Sequence, residues 1–352
     1  MPSPYLYLRG LRQADHAVFC VADGQKTYWD PRFEVSVAYS SGQQVKRSIL
    51  DAVTEALGEM RAPITFNYEI NKDKAIENKE PWSPCDPHYV DQLLGGWMKA
   101  QPKQPTLKRR SPLSISAMRP LHPLLASLAK ENLTFDRSEQ PERHPVRVLN
   151  SAGDELSAVE IDEFLESNAR TLPRRHWIPE NRRTTGLFVH DVAVDLRRLF
   201  KVSTNRHDPE MSSDMVERLR NEGWAETDGG EYLLAPDERR EDIIPALARG
   251  LVEWRITSNQ SRTYSPQTVL ALAIGDNAHR VSAAIRADLE EDGESAEPVI
   301  DHLDGVDLFI ALPAKGYVQG VSADADALEK ADAQLVRRLR SFDYTAPMRQ
   351  PA

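Results

Sequence analysis

Cysteine is nearly absent. Cys20 and Cys85 are the only two in 352 residues, too few for a disulfide framework of any size. No apolar run approaches the roughly 18–20 residues that a membrane span needs. The N-terminal Met1-Pro2-Ser3-Pro4 lacks a basic-then-apolar signal pattern, so the chain reads as cytoplasmic, with no membrane partner. G-x-S-x-G, P-loop and G-x-G-x-x-G motifs are missing as well, so no Ser-His-Asp or Gly-rich nucleotide site has a candidate. No internal repeat recurs at a solenoid period. Positive charge is also short: the formal net charge is −10, which taken alone argues against nucleic acid.

What is present is an ordinary globular composition, 40% hydrophobic and 28% charged, long enough for a large core and a second domain. The charge is segregated. Residues 170–183 carry five arginines (170, 174, 175, 182 and 183) against Glu180 alone. Residues 103–119 carry Lys103, Lys108, Arg109, Arg110 and Arg119 with no acid, and residues 287–314 carry nine acids and no Lys or Arg. Such segregation would let one part face phosphates and another face solvent or a basic partner; the alternative is chance clustering in solvated loops.

Period-two alternation predicts strands at Tyr5–Arg9, 33–39, 64–70, 113–118, 187–196 and 306–312, and an apolar run predicts a central strand at 269–274. Period 3.6 predicts helices at 43–58, 158–168, 215–222, 241–256, 278–290 and 326–340, with shorter ones near 88–99 and 123–130. Turn formers place a loop over 10–31 and a hairpin around Asp228-Gly229-Gly230, which with helix 215–222 resembles part of a winged helix but does not make a whole one. Strands and helices interleaved with long insertions fit an α+β, ferredoxin-like sheet carrying large excursions.

The richest junction is Ser41-Gly42-Gln43-Gln44-Val45-Lys46-Arg47, between strand 33–39 and helix 43–58. Ser40 with Gln43, and Ser41 with Gln44, have capping-box spacing. Capping accounts for the serines and glutamines. It does not account for Lys46 and Arg47, because cations at a helix N-terminus oppose the macrodipole by about 0.3–1 kcal/mol each. A bound anion such as a phosphate or an RNA strand would account for them. Arg47 falls opposite the apolar stripe, while Lys46 lies within its sector and can pack its stem while the ammonium leaves the helix end. A second polar segment, Ser258-Asn259-Gln260-Ser261-Arg262-Thr263-Tyr264, joins helix 241–256 to strand 269–274.

These segments together resemble the backbone subunits of class 1 CRISPR effector complexes. Those are RAMP-superfamily proteins of the kind present in many copies in type I Cascade complexes. The match runs through Ser41–Arg47, with Gly42 in place of a second serine; through Thr184-Thr185-Gly186-Leu187-Phe188 to Leu196; and through 258–264, which lacks the family's Gly-Lys pair. Ile115 to Pro120, with Arg119, resembles the family's Gly-Arg-Met region. The resemblance covers about residues 4–312. It implies an RRM-like palm (1–70 and 187–312, with an insertion at 203–240), a finger-like insertion (71–165), a thumb hairpin (166–186) and a C-terminal helix and tail (313–352).

The resemblance further implies a non-enzymatic subunit that coats CRISPR guide RNA. It would stack head to tail with copies of itself and with other effector subunits, and support hybridisation of a target, DNA rather than RNA, in antiviral defence. Base pairing would supply sequence recognition and the protein would grip backbone and shape. The implied RNA contacts are Arg9, Arg12, Ser41, Gln43, Gln44, Lys46, Arg47, Arg119, Asn259, Gln260, Arg262 and Thr263, with Arg174, Arg175, Arg182 and Arg183 on the thumb. No cofactor and no metal are expected. The acidic 287–314 segment would face a basic neighbour in the filament.

Two rivals remain open at this point. Type III-like relatives cut target RNA with an aspartate in the loop after the first strand, where Asp15, Asp23 and Asp30 lie. His16-x-x-x-Cys20 with Cys85-x-x-His88 makes a Cys₂His₂ set of tolerable spacing for zinc, although isolated pairs in loops are seldom ligands.

Overall fold

Strand β1 (Tyr5–Ala17) is the spine of the larger part of the molecule. In this computed structural model, residues 3–19, 25–101, 103–136, 143, 145–172, 175–257 and 264–348 are described. The strand runs well past Arg9, so the loop expected from residue 10 begins later. The alternation hides this because Gly10 and Arg12 occupy inward positions where an apolar residue would advertise a strand. Leu6, Leu8 and Ala14 belong to one core cluster, while Leu11 belongs to the cluster across the sheet.

A hairpin of β2 (Thr27–Asp30) and β3 (Val35–Ala38) leads into helix α1 (Gly42–Leu57). Val45, Ile49 and Val53 of α1 are fully buried, each worth about 1.5–3 kcal/mol relative to exposure. Next come a ribbon of β4 (Thr65–Ile70) and β5 (Ile76–Trp82), helix α2 (Val90–Gly95), and a pair of β6 (Trp97–Lys99) and β7 (Leu107–Arg109). The strands expected at 33–39 and 64–70 therefore form two-stranded ribbons outside the main sheet. A half-exposed ribbon alternates as a sheet strand does, so periodicity cannot separate them.

Strands β8 (Leu113–Ile115) and β9 (Arg119–Pro120) precede a 3₁₀ turn (Pro123–Leu125) and β10 (Ala126–Asp136). The helix expected near 123–130 is confined to that turn, because the apolar Leu124-Leu125-Ala126 run suits helix or strand alike. Helix α3 (Ala158–Ser167) opens on a complete capping box between Ser157 and Glu160. Strand β11 (Arg175–Asp195) follows. A sheet of β12 (Lys201–Ser203), β14 (Tyr232–Leu234) and β13 (Ala225–Thr227), in that order, accompanies helix α4 (Ser213–Asn221).

Helix α5 (Asp237–Glu253), strand β15 (Thr268–Gly275) and helix α6 (Ala278–Ala284) come next. The chain then forms a hairpin of β16 (Ile285–Leu289) and β17 (Ala296–Ile300) where a longer helix was expected, and the acidic turn at 290–295 reverses it. Strand β18 (Val306–Ile310) and helix α7 (Ala327–Arg340) complete the described elements.

The chain divides into two units, one of residues 1–128 with 184–352 and one of residues 129–183. In the larger unit the sheet order is β8–β11–β1–β15–β18, with every neighbouring pair antiparallel. One face packs on α1, α5 and α7 through Ile49, Leu247, Leu251 and Leu335. The other is covered by Val281 and Ala284 of α6 and by Ala314 and Val318 further on. The fold is α+β. The smaller unit holds the far parts of β10 and β11 together with α3. Residues 166–186, expected as a thumb hairpin, hold the end of α3 and the first part of β11.

Candidate nucleic-acid interface

The start of α1 is built by two pieces of chain. Ser40 and Met118 exchange backbone hydrogen bonds, Ser40 N to Met118 O at 2.9 Å and Met118 N to Ser40 O at 3.0 Å. This lays residues 115–119 against residues 40–42 and sets Arg119 beside the helix start. Ser41 is the N-cap, its hydroxyl accepting from Gln44 N at 3.3 Å. Gln43 is exposed and no acid occupies the first turn, so the positive end of the helix is not neutralised by its own side chains. A Cβ on Gly42 would lie 2.6 Å from the Ile115 carbonyl oxygen. That contact explains the glycine: the backbone of 115–116 occupies the space a serine would need.

Of the two motif cations, Lys46 is half-buried, which pushes its ammonium below the ordinary lysine value. Arg47 is exposed and pairs with Asp51 at 3.0 Å, one turn on. Asp51 also accepts from Arg61 at 2.9 Å. Arg119 is half-exposed and 3.8 Å from Asp191. Between α1 and α5 opens a cavity of about 850 Å³ lined by Gln44, Arg47, Ser48, Asp51, Arg249 and Arg255 among others. Arg249 is paired with Glu253 at 2.8 Å. The expected set Ser41, Gln43, Gln44, Lys46, Arg47 and Arg119 is thus gathered at one place.

Arg9 and Arg12 are not part of it. Arg9 is buried, forked onto Asp191 at 2.6 and 3.0 Å, with its remaining nitrogen donating to Ser282 O and Ile285 O. Arg12 is 2% exposed and lies 4.2 Å over the Trp254 ring. It donates to Val252 O at 2.9 Å and Gln267 O at 3.2 Å. Burial pulls its guanidinium down to about 9, and the two carbonyls and the indole face compensate the charge it keeps at neutral pH. These donors are committed to holding the sheet to the end of α5, so a role in direct contact with RNA gives way to a structural one.

The same cluster contains His190, fully buried, whose ring fills the space above Gly10; a Cβ there would meet it at 2.3 Å. Trp254 Nε1 donates to His190 Nε2 at 3.3 Å, and burial holds the imidazole well below its ordinary value, hence neutral. Gln267 adopts φ +47° and clasps Ile256 through both backbone groups, at 3.1 and 2.9 Å. Residues 256 and 267 are thereby held together at the two ends of the second polar segment. Asn259, Gln260, Arg262 and Thr263 themselves lie outside the described residues, as do Asp23 and Arg174. The side chain of Arg175 is likewise outside them. Arg182 is half-buried and Arg183 buried, each with a partner already.

The rivals fare as follows. Asp15 stands on β1, exposed, and accepts from Thr185 Oγ1 at 3.1 Å. Asp30 is a turn former, accepting from Arg32 N and Phe33 N at 3.0 and 3.1 Å. Cys20 lies outside the described residues. Cys85 is buried, and both ring nitrogens of His88 are taken by carboxylates, Asp86 and Glu222. Among the described residues no group of three potential metal ligands comes together. In helix α4, Arg218 pairs with Glu222 and Arg220 with Glu226. Within the basic 103–119 stretch, Arg109 is buried and spent on Lys201 O, Leu93 O, Arg198 O and Glu210. Among the described residues no helix is long and apolar enough to cross a membrane.

Sequence reasoning missed β2, the partner of the expected strand 33–39, which was read as loop because Thr27-Tyr28-Trp29-Asp30 is short and ends in Asp-Pro. It missed the Gln267 clasp entirely; a buried glutamine leaves no periodic trace.

No protein-family profile matches the sequence, and no curated protein matches it either. Among solved structures, a chain of a "CRISPR RNA-guided surveillance complex, pre-nicking" superposes with a TM-score of 0.44 at 11% identity, covering 96% of this chain and 88% of its own. A chain of a "CRISPR RNA-guided surveillance complex" superposes with a TM-score of 0.40 at 11% identity, covering 96% and 84%.

Proposed function

We propose that this protein is a guide-RNA-binding backbone subunit of a type I-like CRISPR effector complex, without catalytic activity of its own. The observation that carries the reading is the α1 start. A capped N-terminus with no acid in its first turn, an exposed Gln43, and Lys46, Arg47 and Arg119 nearby supply donors and cations for a phosphate backbone.

The fold supports it. Taking β1, β8, β11 and β15 as the four strands, with α1 after the first and α5 after the third, the order β8–β11–β1–β15 is that of a ferredoxin-like, RRM-like palm. One departure refines the mode of binding. RRM modules stack bases on the open sheet face, and here α6 and residues 314–318 cover that face. RNA therefore runs along the helix start and its flanking loops. Gripping backbone alone leaves sequence recognition to base pairing, as guide-directed recognition requires. Polymerisation along the guide needs a heterologous, non-closing contact; the acidic β16–β17 turn is the proposed face.

The test is expression with a CRISPR array. Purified protein is expected to carry RNA of uniform length with repeat-derived ends. Lys46→Glu with Arg47→Glu is expected to keep the fold and lose RNA-dependent assembly. A wild-type protein that stays free of RNA and monomeric overturns the reading. Regularly spaced cuts in complementary RNA with divalent metal, abolished by Asp15→Ala, would overturn the non-catalytic part.

A further inference from the structure

We propose that the β4–β5 ribbon of one copy docks on the α3 surface of the next, a head-to-tail contact between copies of this chain. This deepens the backbone-subunit reading and rests on it.

The ribbon presents an apolar face that its own chain leaves open. Phe66, Tyr68 and Ile70 alternate along β4 and so share one face. Ile76 joins them, directly opposite Ile70. All four are 62–72% exposed. The other face is polar, with Lys79 pairing to Glu69 at 3.0 Å and to Glu77 at 3.3 Å. A two-stranded ribbon is marginal in water unless a helix or further strands pack on it. Ile70 and Ile76 offer no π face to a base, so the occupant of this face is protein rather than RNA.

The chain itself carries a matching surface. Helix α3 has no buried residue. A cavity of about 850 Å³ lies against it, lined by Val148, Leu149, Leu156 and Phe164 together with Glu160 and Glu163. Leu149 and Phe164 are exposed. Residues 148–169 carry six acids and no Lys or Arg. The ribbon turn, next to Ile70 and Ile76, carries Lys72 and Lys74 exposed on either side of Asp73. Apolar side chains thus meet apolar ones, and lysines meet acids. The two surfaces differ, so their pairing is heterologous and does not close, as polymerisation along a guide requires. Four side chains supply less than the roughly 800 Å² per partner that a stable interface buries, so the contact holds only where RNA gathers the copies.

The experiment uses the full-length protein and two synthetic single-stranded RNAs, one that a single copy covers and one several times longer. Wild type is expected to fill the long RNA cooperatively. Ile70→Glu with Ile76→Glu is expected to cut that cooperativity by roughly tenfold while binding the short RNA as wild type does. The melting temperature should be unchanged, because both side chains are exposed. Lys72→Glu and Glu163→Lys should each weaken filling of the long RNA, and the two combined in one chain should restore it. No restoration by that swap overturns α3 as the docking surface. Equal loss on both RNAs assigns the ribbon to RNA and overturns the proposal, as does no loss on either. Wild type that binds the short RNA but fills the long one without cooperativity also overturns it, leaving RNA binding standing. Wild type binding neither RNA overturns the RNA reading itself.

Discussion

Strand β1 and the start of α1 both bring cations to the sheet, and they use them in opposite ways. On β1, Arg9 and Arg12 are buried with their donors on Asp191 and on backbone carbonyls. At the α1 start, Lys46 is half-buried, Arg47 is exposed with one carboxylate partner, and Arg119 is half-exposed. The difference lies in where the chain needs acceptors satisfied. The end of α5 and the bend at Gln267 expose carbonyls to the interior, and a guanidinium with its fixed fork serves two of them at once. The helix start presents donors, not acceptors, so a cation there meets no buried carbonyl and stays at the surface, where the proposed function gives it a phosphate. Arginine near this sheet is thus buried or exposed depending on which end of a helix it meets.

Three substitutions break or sharpen this contrast. The largest effect belongs to Arg12→Met. It strips Val252 O and Gln267 O of their donor inside the core, and a loss of about 3 kcal/mol is expected in urea unfolding. An RNA-affinity loss with unchanged stability would instead return Arg12 to the contact set. Next comes Gly42→Val, which drives a side chain into the Ile115 carbonyl. Here about 2 kcal/mol is expected, together with weakened RNA binding as the 115–119 segment retreats. The smallest is Ser41→Ala, which removes one cap bond for about 1 kcal/mol by thermal melting. If Ser41 also touches phosphate, its affinity loss should exceed what Gly42→Val causes at matched stability.

The sequence already carried much of this. Helix α1, its capping serine and the apolar stripe of Val45, Ile49 and Val53 were legible because local chemistry and period agree there. The central strand β15 was legible because it is apolar throughout. The far half of β1 was not, since Gly10 and Arg12 interrupt the apolar series for tertiary reasons: one makes room for His190 and the other serves α5. Strand β16 was read as the end of helix 278–290 because Ala283, Ala284 and Ala287 favour helix locally, and only its pairing with β17, as in Ile285 with Ile300, overrides that. For the site, spacing predicted that Ser41, Lys46 and Arg47 share a helix start. It could not tell an exposed Arg47 from a buried Arg12.

The contact between Gly42 and the Ile115–Ser116 backbone has a consequence for how this protein can change. Residue 42 and the path of residues 115–116 are one variable, not two. A variant that gains a hydroxyl at 42 must also move the chain at 115–116 outward, and Arg119 moves with it through the Ser40–Met118 bridge. Libraries that sample these positions separately should return almost only glycine at 42. Libraries that randomise them jointly should recover serine there, in combination with altered residues or length at 115–118.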